Sequence, residues 1–385
     1  MAINQHTVSN LDASYWMRHS IPPLVALLKA AGTFTPADQG QHIRFLYDHV
    51  IPNLGPRPTK ARPDKSLITQ SGFPIEFSIN MSTGRPKVRY CWEPMGPPSL
   101  NDSDIYGISV VHKCLDMFSG ELGFSRNWSD ALISALAPTP EEAKTAQQNI
   151  ALWQASLLPP GVPPKPVSRL YFSAIAFELD GPRVGTKLYV SPKVKEIGSG
   201  KPMADTVWNL LDELKPAITP SAIEAVQQFL VECPGADSID MISIDMVEEA
   251  QGNRGRFKIY VHSTSNSFNT IRQCLTLSGR LRDKTTLKGL EVLRSIWHLL
   301  LQEKEEISDD FEKPVNDPAA MVMKVFFCLE LTPGKDLPEV KLHVPIFNYL
   351  ENDGEALENF EKIFIKCDQK WALNGKYRDM LETAL

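Results

Sequence analysis

The sequence lacks several features that would assign it to common protein classes. Its six cysteines are scattered and no CxxC motif occurs, which argues against a zinc ribbon or a redox pair and fits reduced thiols. No stretch of about 18 uncharged apolar residues is present, so no transmembrane helix is predicted. The N-terminus has no basic region followed by an apolar run. We therefore predict no signal peptide, and we expect a cytoplasmic protein.

A surplus of positive charge is also missing. The 385 residues carry a net charge of −6 at pH 7, which argues against nucleic-acid binding because that function requires a basic face. The hydrophobic content of 43% and the charged content of 22% are ordinary for a globular protein. An acidic chain can still hold a local cationic pocket, and such a pocket is more informative than the total charge.

The stretch Arg254–Ser263 alternates as a β-strand does, with polar residues on one face and apolar residues on the other. The polar face carries Arg256, Lys258, Tyr260 and His262. Cations and a tyrosine at this spacing form a row of donors that suits an anion with several oxygens, above all a pyrophosphate. In a single antiparallel strand, a solvated outer face would give the same pattern.

The pattern recurs along the chain. Four strand pairs are predicted: Phe73–Met81 with Lys87–Glu93, Arg169–Glu178 with Gly185–Ser191, Ser238–Val247 with Arg254–Ser263, and Met321–Leu331 with Glu339–Pro345. The second strands carry the cations Arg89, Lys187, Arg256, Lys258 and Lys341. Residues 1–20 are predicted to be a polar lead-in, and Pro22–Ala31 a helix with proline at its start. Further helices are predicted over Asp38–Ile51 and Ile346–Ile365. Helices also separate the pairs, so a helix–helix–strand–strand unit of roughly 80 to 90 residues repeats. If the pairs form one sheet closed under helices, the cations converge in a lumen and predict an anion site.

Several motifs occur together and in a fixed order. They are GFPIEFSIN, VRYCWEP, Lys187-x-Tyr189, Arg256-x-Lys258-x-Tyr260 after SIDMVEE, and PEVKLHVP. From about residue 10 to the C-terminus, the chain resembles the fungal aromatic (indole) prenyltransferases of the dimethylallyltryptophan synthase family. The resemblance implies an α+β fold: a ten-stranded antiparallel β-barrel of repeated ααββ units ringed by helices (the ABBA barrel). It also implies a single domain over residues 1–385.

The resemblance implies transfer of a dimethylallyl group from dimethylallyl diphosphate to an aromatic acceptor in secondary metabolism. The implied diphosphate ligands are Arg89, Lys187, Tyr189, Arg256, Lys258, Tyr260, Lys341 and His343. Fixed cations would stabilise the leaving pyrophosphate, and aromatic faces would shield the allyl cation from water. The sequence has no DDxxD motif, and the family does not need magnesium to hold the pyrophosphate. We therefore expect no metal and no cofactor.

Glu76, within GFPIEFSIN, is the catalytic base that the resemblance implies. A carboxylate inside a largely apolar barrel can accept a proton from an indole N–H or a phenol. The alternative is a carboxylate that only pairs with Arg89 across the hairpin.

The chain departs from the family in three ways. His343 stands where the family usually has tyrosine, although a histidine can still donate to a phosphate. The segment Asp237–Ala250 contains no Arg or Lys, and Ser191 stands where members that use tryptophan have tyrosine. Both features argue against free tryptophan, and favour an indole alkaloid, a cyclic dipeptide or a phenolic acceptor. No last strand pair is visible, which leaves open sheet edges that a smaller barrel or a partner chain, such as a homodimer, would close; otherwise the sequence is a truncated gene product with little or no activity.

Two other functions remain open at this stage. One is a degenerate family member with an open barrel that binds a prenyl diphosphate or product without turnover. The other keeps the fold but changes the chemistry: Glu76 or His343 would protonate or cyclise a substrate that is already prenylated.

Overall fold

The chain is described here by a computed structural model. It describes residues 10–59, 66, 68–69, 71–81, 86–95, 104–156, 170–214, 218–236, 238–248, 255–316 and 323–384. Contacts divide the chain into two compact units. The first comprises Met1–Thr206, Ile244–Gly252 and Asp379–Leu385; the second comprises Val207–Ser243 and Asn253–Arg378. The single domain stays a prediction.

The described ranges contain eight strands. They are β1 (Ile75–Asn80), β2 (Lys87–Trp92), β3 (Ser173–Asp180), β4 (Arg183–Val190), β5 (Met241–Met246), β6 (Phe257–Ser263), β7 (Val325–Leu331) and β8 (Glu339–His343). Each lies within a predicted strand, except that β3 ends two residues later and β4 begins two residues earlier than predicted. Their order follows the chain. Within the first unit β1 to β4 pair antiparallel in sequence order, and within the second unit β6 to β8 do the same. Arg254 lies outside the described residues.

Twelve α-helices lie in the described ranges. They are α1 (Asn10–Ala31), α2 (Pro36–Phe45), α3 (Ile108–Leu122), α4 (Asn127–Leu136), α5 (Pro140–Ser156), α6 (Lys193–Ser199), α7 (Ala204–Leu214), α8 (Pro220–Glu232), α9 (Phe268–Leu275), α10 (Lys284–Leu300), α11 (Asp353–Lys366) and α12 (Lys376–Ala384). None of the described helices combines the length and apolar character needed to cross a membrane. All six cysteines are free.

Burial alternates along β2 as the sequence predicts, whereas β6 is buried on both faces except at Tyr260. In β2, Val88, Tyr90 and Trp92 are buried, whereas the residues between them are partly exposed. The apolar face packs on helix α3, where the ring of Phe118 lies 6.3 Å from that of Trp92. In the second unit, Phe327 of β7 packs on Phe229 of α8 with ring centroids 5.7 Å apart. The polar residues of each strand are therefore turned away from these helix-covered faces.

The prediction of a polar lead-in over residues 1–20 is wrong, because α1 begins at Asn10 and continues through Pro22 and Pro23. A proline removes one backbone donor and disfavours the helix interior, which is why the sequence predicted a start there. Tertiary contacts offset this cost. Trp16 is buried and its indole N–H donates to the Gly55 carbonyl oxygen at 2.7 Å.

Other helix boundaries also differ from prediction. The predicted helix Asp38–Ile51 ends at Phe45 as an α-helix and continues as a π-helical turn over Leu46–Val50. The predicted helix Ile346–Ile365 is broken, because Asn352 caps a new start and α11 begins at Asp353. Helix α6 was not predicted. Its seven residues are too few for a periodic pattern to identify.

Candidate functional site

The predicted site residues lie on five strands of the two units, except for one residue that directly precedes a strand. Glu76 is on β1 and Arg89 on β2, while Lys187 and Tyr189 are on β4. The others lie in the second unit: Arg256 directly before β6, Lys258 and Tyr260 on β6, and Lys341 and His343 on β8. Each unit therefore contains its own group of predicted site residues.

In the first unit, three cations surround one carboxylate, Glu178 of β3. Lys87 Nζ lies 3.2 Å from Glu178 Oε1, and Lys187 Nζ lies 3.6 Å from Oε2. Arg89 Nη2 donates to Oε2 of the same side chain. We call Lys87, Arg89, Lys187 and Glu178 the first cluster.

The first cluster keeps its carboxylate ionised. Burial alone raises the pKa of Glu178, but the surrounding cations, with Lys187 contributing most, outweigh burial and lower that pKa to about 2. A carboxylate that is ionised in the folded protein contributes a full negative charge to the cluster. The four side chains of the first cluster, three cations and one anion, sum to a formal charge of +2 (3 − 1). Asp180, outside the cluster as defined, also lies 3.7 Å from Lys87 Nζ.

The second unit contains a similar group around Glu330 of β7. Lys341 Nζ lies 2.6 Å from Glu330 Oε2, Arg256 Nη1 lies 3.1 Å from Oε1, and Lys258 Nζ lies 4.0 Å from Oε2. The Glu330 side chain is only 4% exposed. Burial raises its pKa, but the hydrogen bond and charge of Lys341 and the charges of the other two cations outweigh burial and lower it. We call Arg256, Lys258, Lys341 and Glu330 the second cluster.

Strand register makes the two clusters equivalent. In each unit the glutamate lies on the middle strand of three, directly opposite a cation on the preceding strand. The residue two positions before the glutamate lies opposite a lysine on the following strand. The corresponding pairs are Arg89–Glu178 with Lys258–Glu330, and Lys187–Ala176 with Lys341–Cys328. Lys87 and Arg256 also correspond, because each stands two residues before the cation that faces the glutamate.

Glu76 has a different environment from these glutamates. It lies opposite Cys91 in the register of β1 and β2, whereas Arg89 is opposite Ser78 and pairs with Glu178. Among the described residues, Glu76 makes neither a hydrogen bond nor an ion pair. The alternative in which Glu76 pairs with Arg89 therefore does not describe this structure.

Glu76 has surface that solvent can reach, but protein atoms crowd around its carboxyl group. The surrounding protein displaces enough water to raise its pKa above the usual 4.5. Burial also raises the pKa of the neighbouring Cys91 thiol, and the charge of Glu76 raises it further. A carboxylate with a raised pKa and no partner is suited to accept a proton.

Two histidines extend the polar face of the second unit. The His343 ring lies 5.8 Å from that of Tyr260, and burial, followed by the charge of Lys341, lowers the pKa of His343. A neutral imidazole can still donate one N–H to a phosphate oxygen. His262 Nδ1 lies 2.8 Å from Asp240 Oδ2, and both residues are buried.

Sequence reasoning missed the two central glutamates and the role of Lys87. A signal was present in each case, because Glu178 and Glu330 fall on the polar face of their strands under the same alternation that identified the cations. What the sequence did not contain was the register between neighbouring strands. The register alone decides which cation a carboxylate meets.

No group of three or more His, Cys, Asp or Glu side chains in the described ranges could hold a metal ion. The donors of both clusters are instead cations, which suit a polyanionic ligand.

A family profile described as tryptophan dimethylallyltransferase matches residues 12–380. The chain belongs to this family. It is a family of prenyltransferases, and the chain is accordingly a prenyltransferase, in agreement with the sequence analysis.

Similar proteins of the tryptophan dimethylallyltransferase family are known from fungi. The indole diterpene prenyltransferase terF of Tolypocladium album is 43% identical over 96% of this chain and 85% of its own length. The indole diterpene prenyltransferase ltmF of Epichloe festucae var. lolii is 40% identical over 97% of this chain and 85% of its own. The indole prenyltransferase tdiB of Emericella nidulans is 32% identical over 97% and 88%.

Solved structures confirm the fold. The crystal structure of AnaPT from Neosartorya fischeri superposes with a TM-score of 0.76 at 23% identity, covering 97% of this chain and 85% of that one. NotF, solved in complex with brevianamide F and DMSPP, superposes with a TM-score of 0.74 at 22% identity, covering 99% and 88%. The predicted antiparallel α+β prenyltransferase fold is thus confirmed.

Proposed function

We propose that this prenyltransferase transfers a dimethylallyl group from dimethylallyl diphosphate to the indole ring of an indole diterpene. The observation that carries the acceptor is the agreement of three relatives. TerF, ltmF and idtF of Claviceps paspali, which are 43%, 40% and 39% identical to this chain, are all named indole diterpene prenyltransferases. The donor follows from the family name and from cation clusters that suit a diphosphate.

In this proposal the cations of the two clusters bind the diphosphate, and Tyr189, Tyr260 and His343 donate further hydrogen bonds to it. The allylic C–O bond breaks with both electrons leaving on the pyrophosphate, whose new charge the fixed cations stabilise. An indole carbon then forms a C–C bond to the allyl cation. Glu76 takes the proton released when the ring regains aromaticity, because among the described residues its carboxyl makes neither a hydrogen bond nor an ion pair.

Two features of the chain support an acceptor other than free tryptophan. Ser191, two residues after Tyr189, is buried and offers only a hydroxyl. The described part of the preceding segment, residues 238–248, contains no Arg or Lys that could pair with an amino-acid carboxylate. An acceptor without a free carboxylate needs neither a tyrosine at position 191 nor a cation in this segment. An indole diterpene is such an acceptor.

The proposal is tested by incubating the 385-residue protein with dimethylallyl diphosphate and separate acceptors: an indole diterpene, a cyclic dipeptide, a phenol and tryptophan. Mass spectrometry measures the gain of one prenyl unit, and a second assay measures released pyrophosphate. We expect product with the indole diterpene, lost in Glu76→Gln and retained in Glu196→Gln, a matched glutamate that pairs with Lys193. Faster prenylation of tryptophan than of the indole diterpene would contradict the proposed acceptor.

A binding protein without turnover would give a different result in the same experiment. The donor would bind, but no acceptor would gain mass and no pyrophosphate would be released. A cyclase-like reaction would rearrange an already prenylated substrate without consuming the diphosphate.

A further inference from the structure

Each of the two clusters already contains an anion at its centre. In the second cluster, Glu330 accepts hydrogen bonds from Lys341 and Arg256 at 2.6 and 3.1 Å. In the first, Glu178 accepts from Lys87 at 3.2 Å and from Arg89. The N–H groups that would hold a diphosphate are therefore directed at a carboxylate of the chain itself.

The carboxylates are built into the fold at the same place. Both occupy the middle strand of three and lie opposite a cation of the preceding strand. Glu330 is buried and Glu178 is one-fifth exposed, so neither is a solvated surface residue that meets cations by chance. Gathering three cations without an anion would be costly, because like charges at this spacing repel. The glutamate offsets that repulsion while the site is empty.

We propose that Glu178 and Glu330 are resident counter-anions, positioning residues that hold the cation clusters together in the free enzyme and compete with the diphosphate for the same donors. This inference rests on the proposed function, since it takes the cations as diphosphate ligands. On binding, phosphate oxygens take over hydrogen bonds that the carboxylates hold. On release of the pyrophosphate product, the carboxylates take them back. No bond is made or broken other than these hydrogen bonds.

Removing either carboxylate should change the binding of pyrophosphate in one direction. Replacing either glutamate by glutamine keeps the shape of the side chain but changes the formal charge of its cluster from +2 to +3. Removing a competing anion should tighten the binding of inorganic pyrophosphate, by about tenfold for each site. A residue that was merely structural would lower affinity or leave it unchanged when replaced, so a gain in affinity separates the two roles.

The experiment measures pyrophosphate binding to the full chain by titration calorimetry, at about 50 and about 300 mM salt, because screening weakens charge effects. The variants are Glu178→Gln, Glu330→Gln and the charge-preserving Glu330→Asp. The control is Glu232→Gln, which removes a glutamate ion-paired with Arg280 outside both clusters. We expect tighter binding in the two cluster Gln variants, with a steeper loss on adding salt. Glu330→Asp and Glu232→Gln should stay within about threefold of the wild type.

Thermal unfolding gives a second readout. We expect the two cluster Gln variants to unfold at lower temperature than the wild type when free, and to recover with saturating pyrophosphate, because the ligand then supplies the missing anion. If Glu330→Gln does not fold, the partly exposed Glu178→Gln carries the test alone.

Unchanged or weaker pyrophosphate binding in the folded Gln variants would overturn the inference and leave the proposed function standing. A folded wild-type protein that binds neither pyrophosphate nor dimethylallyl diphosphate would instead overturn the proposed function itself.

Discussion

Glu76 differs from the other strand glutamates in having no partner among the described residues. Its pKa lies above 4.5 because the surrounding protein displaces water. A base works only when ionised, so activity should fall as the pH drops through this raised pKa. We expect the acid limb of the kcat–pH profile to have its midpoint above pH 4.5. A midpoint below that value would contradict the assignment, as would a loss of less than about tenfold in Glu76→Gln, since general bases typically contribute about 10²–10⁴-fold.

The pKa of Glu178 is shifted in the opposite direction from that of Glu76, and this shift affects the stability of the fold. Its pKa is lowered from 4.5 to about 2 in the folded protein, so its ionised form stabilises the fold. That contribution is complete above about pH 4.5 and is lost as the pH falls towards 2. The difference in free energy of unfolding between wild type and Glu178→Gln should therefore shrink over this window, as urea unfolding at several pH values can measure. A difference that does not change with pH would exclude the ion pairs as its cause.

At the scale of single residues, the sequence predicted the positions of the cations but not what they contact. Arg89 and Lys187 were identified because strand alternation is local. Their shared partner Glu178 was not, because the pairing of β2 with β3 joins residues 89 positions apart (178 − 89). The roles of the predicted residues in binding and catalysis stay predictions.

At the scale of elements, helix α6 packs closely on helix α5 at Gly198. A Cβ added there would lie 2.2 Å from the backbone carbonyl oxygen of Glu142, so no side-chain movement can make room. We expect Gly198→Ala to lower the stability by about 1–3 kcal/mol or more, as overpacking does. Thermal unfolding measures this directly.

Gly289 in α10 provides the matched control. A Cβ added there meets nothing within 4 Å, and the position is exposed. Because alanine favours a helix interior over glycine, Gly289→Ala should raise the stability by about 0.5–1 kcal/mol. Equal effects of the two substitutions would contradict the close packing of α6 on α5.

The errors in helix prediction share a physical cause. Prolines at positions 22 and 23 predicted a helix start, but α1 passes through them because Trp16 is anchored to Gly55. Local propensity is a weak guide where a tertiary contact contributes more than the propensity costs. The strands were predicted better, since polar and apolar residues alternate along several of them within the sequence itself.

At the scale of the whole molecule, positive charge is gathered in two clusters of an acidic protein. The chain carries a net charge of −6, yet its two clusters each carry a formal +2. The cations of each cluster can do for a phosphate group what magnesium does in other enzymes. We predict that prenyl transfer proceeds in EDTA at a rate within about twofold of that in magnesium, a difference smaller than about 0.5 kcal/mol. A loss of activity in EDTA, restored by magnesium, would show that the cations are not sufficient.

The two clusters are equivalent in their positions on the strands. Two units with little sequence likeness place a glutamate and its cations at the same register positions. The predicted homodimer stays a prediction, as does the predicted cytoplasmic location.

The strands and the cations on them could be predicted from the sequence alone, because a β-strand turns alternate side chains to opposite faces whatever surrounds it. The sequence also determined the family, through motifs in a fixed order. The pairing and the register of the strands came only from the tertiary structure. With them came the finding that Glu178 and Glu330 each hold three cations, while Glu76 holds none among the described residues. Register depends on contacts between residues far apart in the chain, and no local pattern records them.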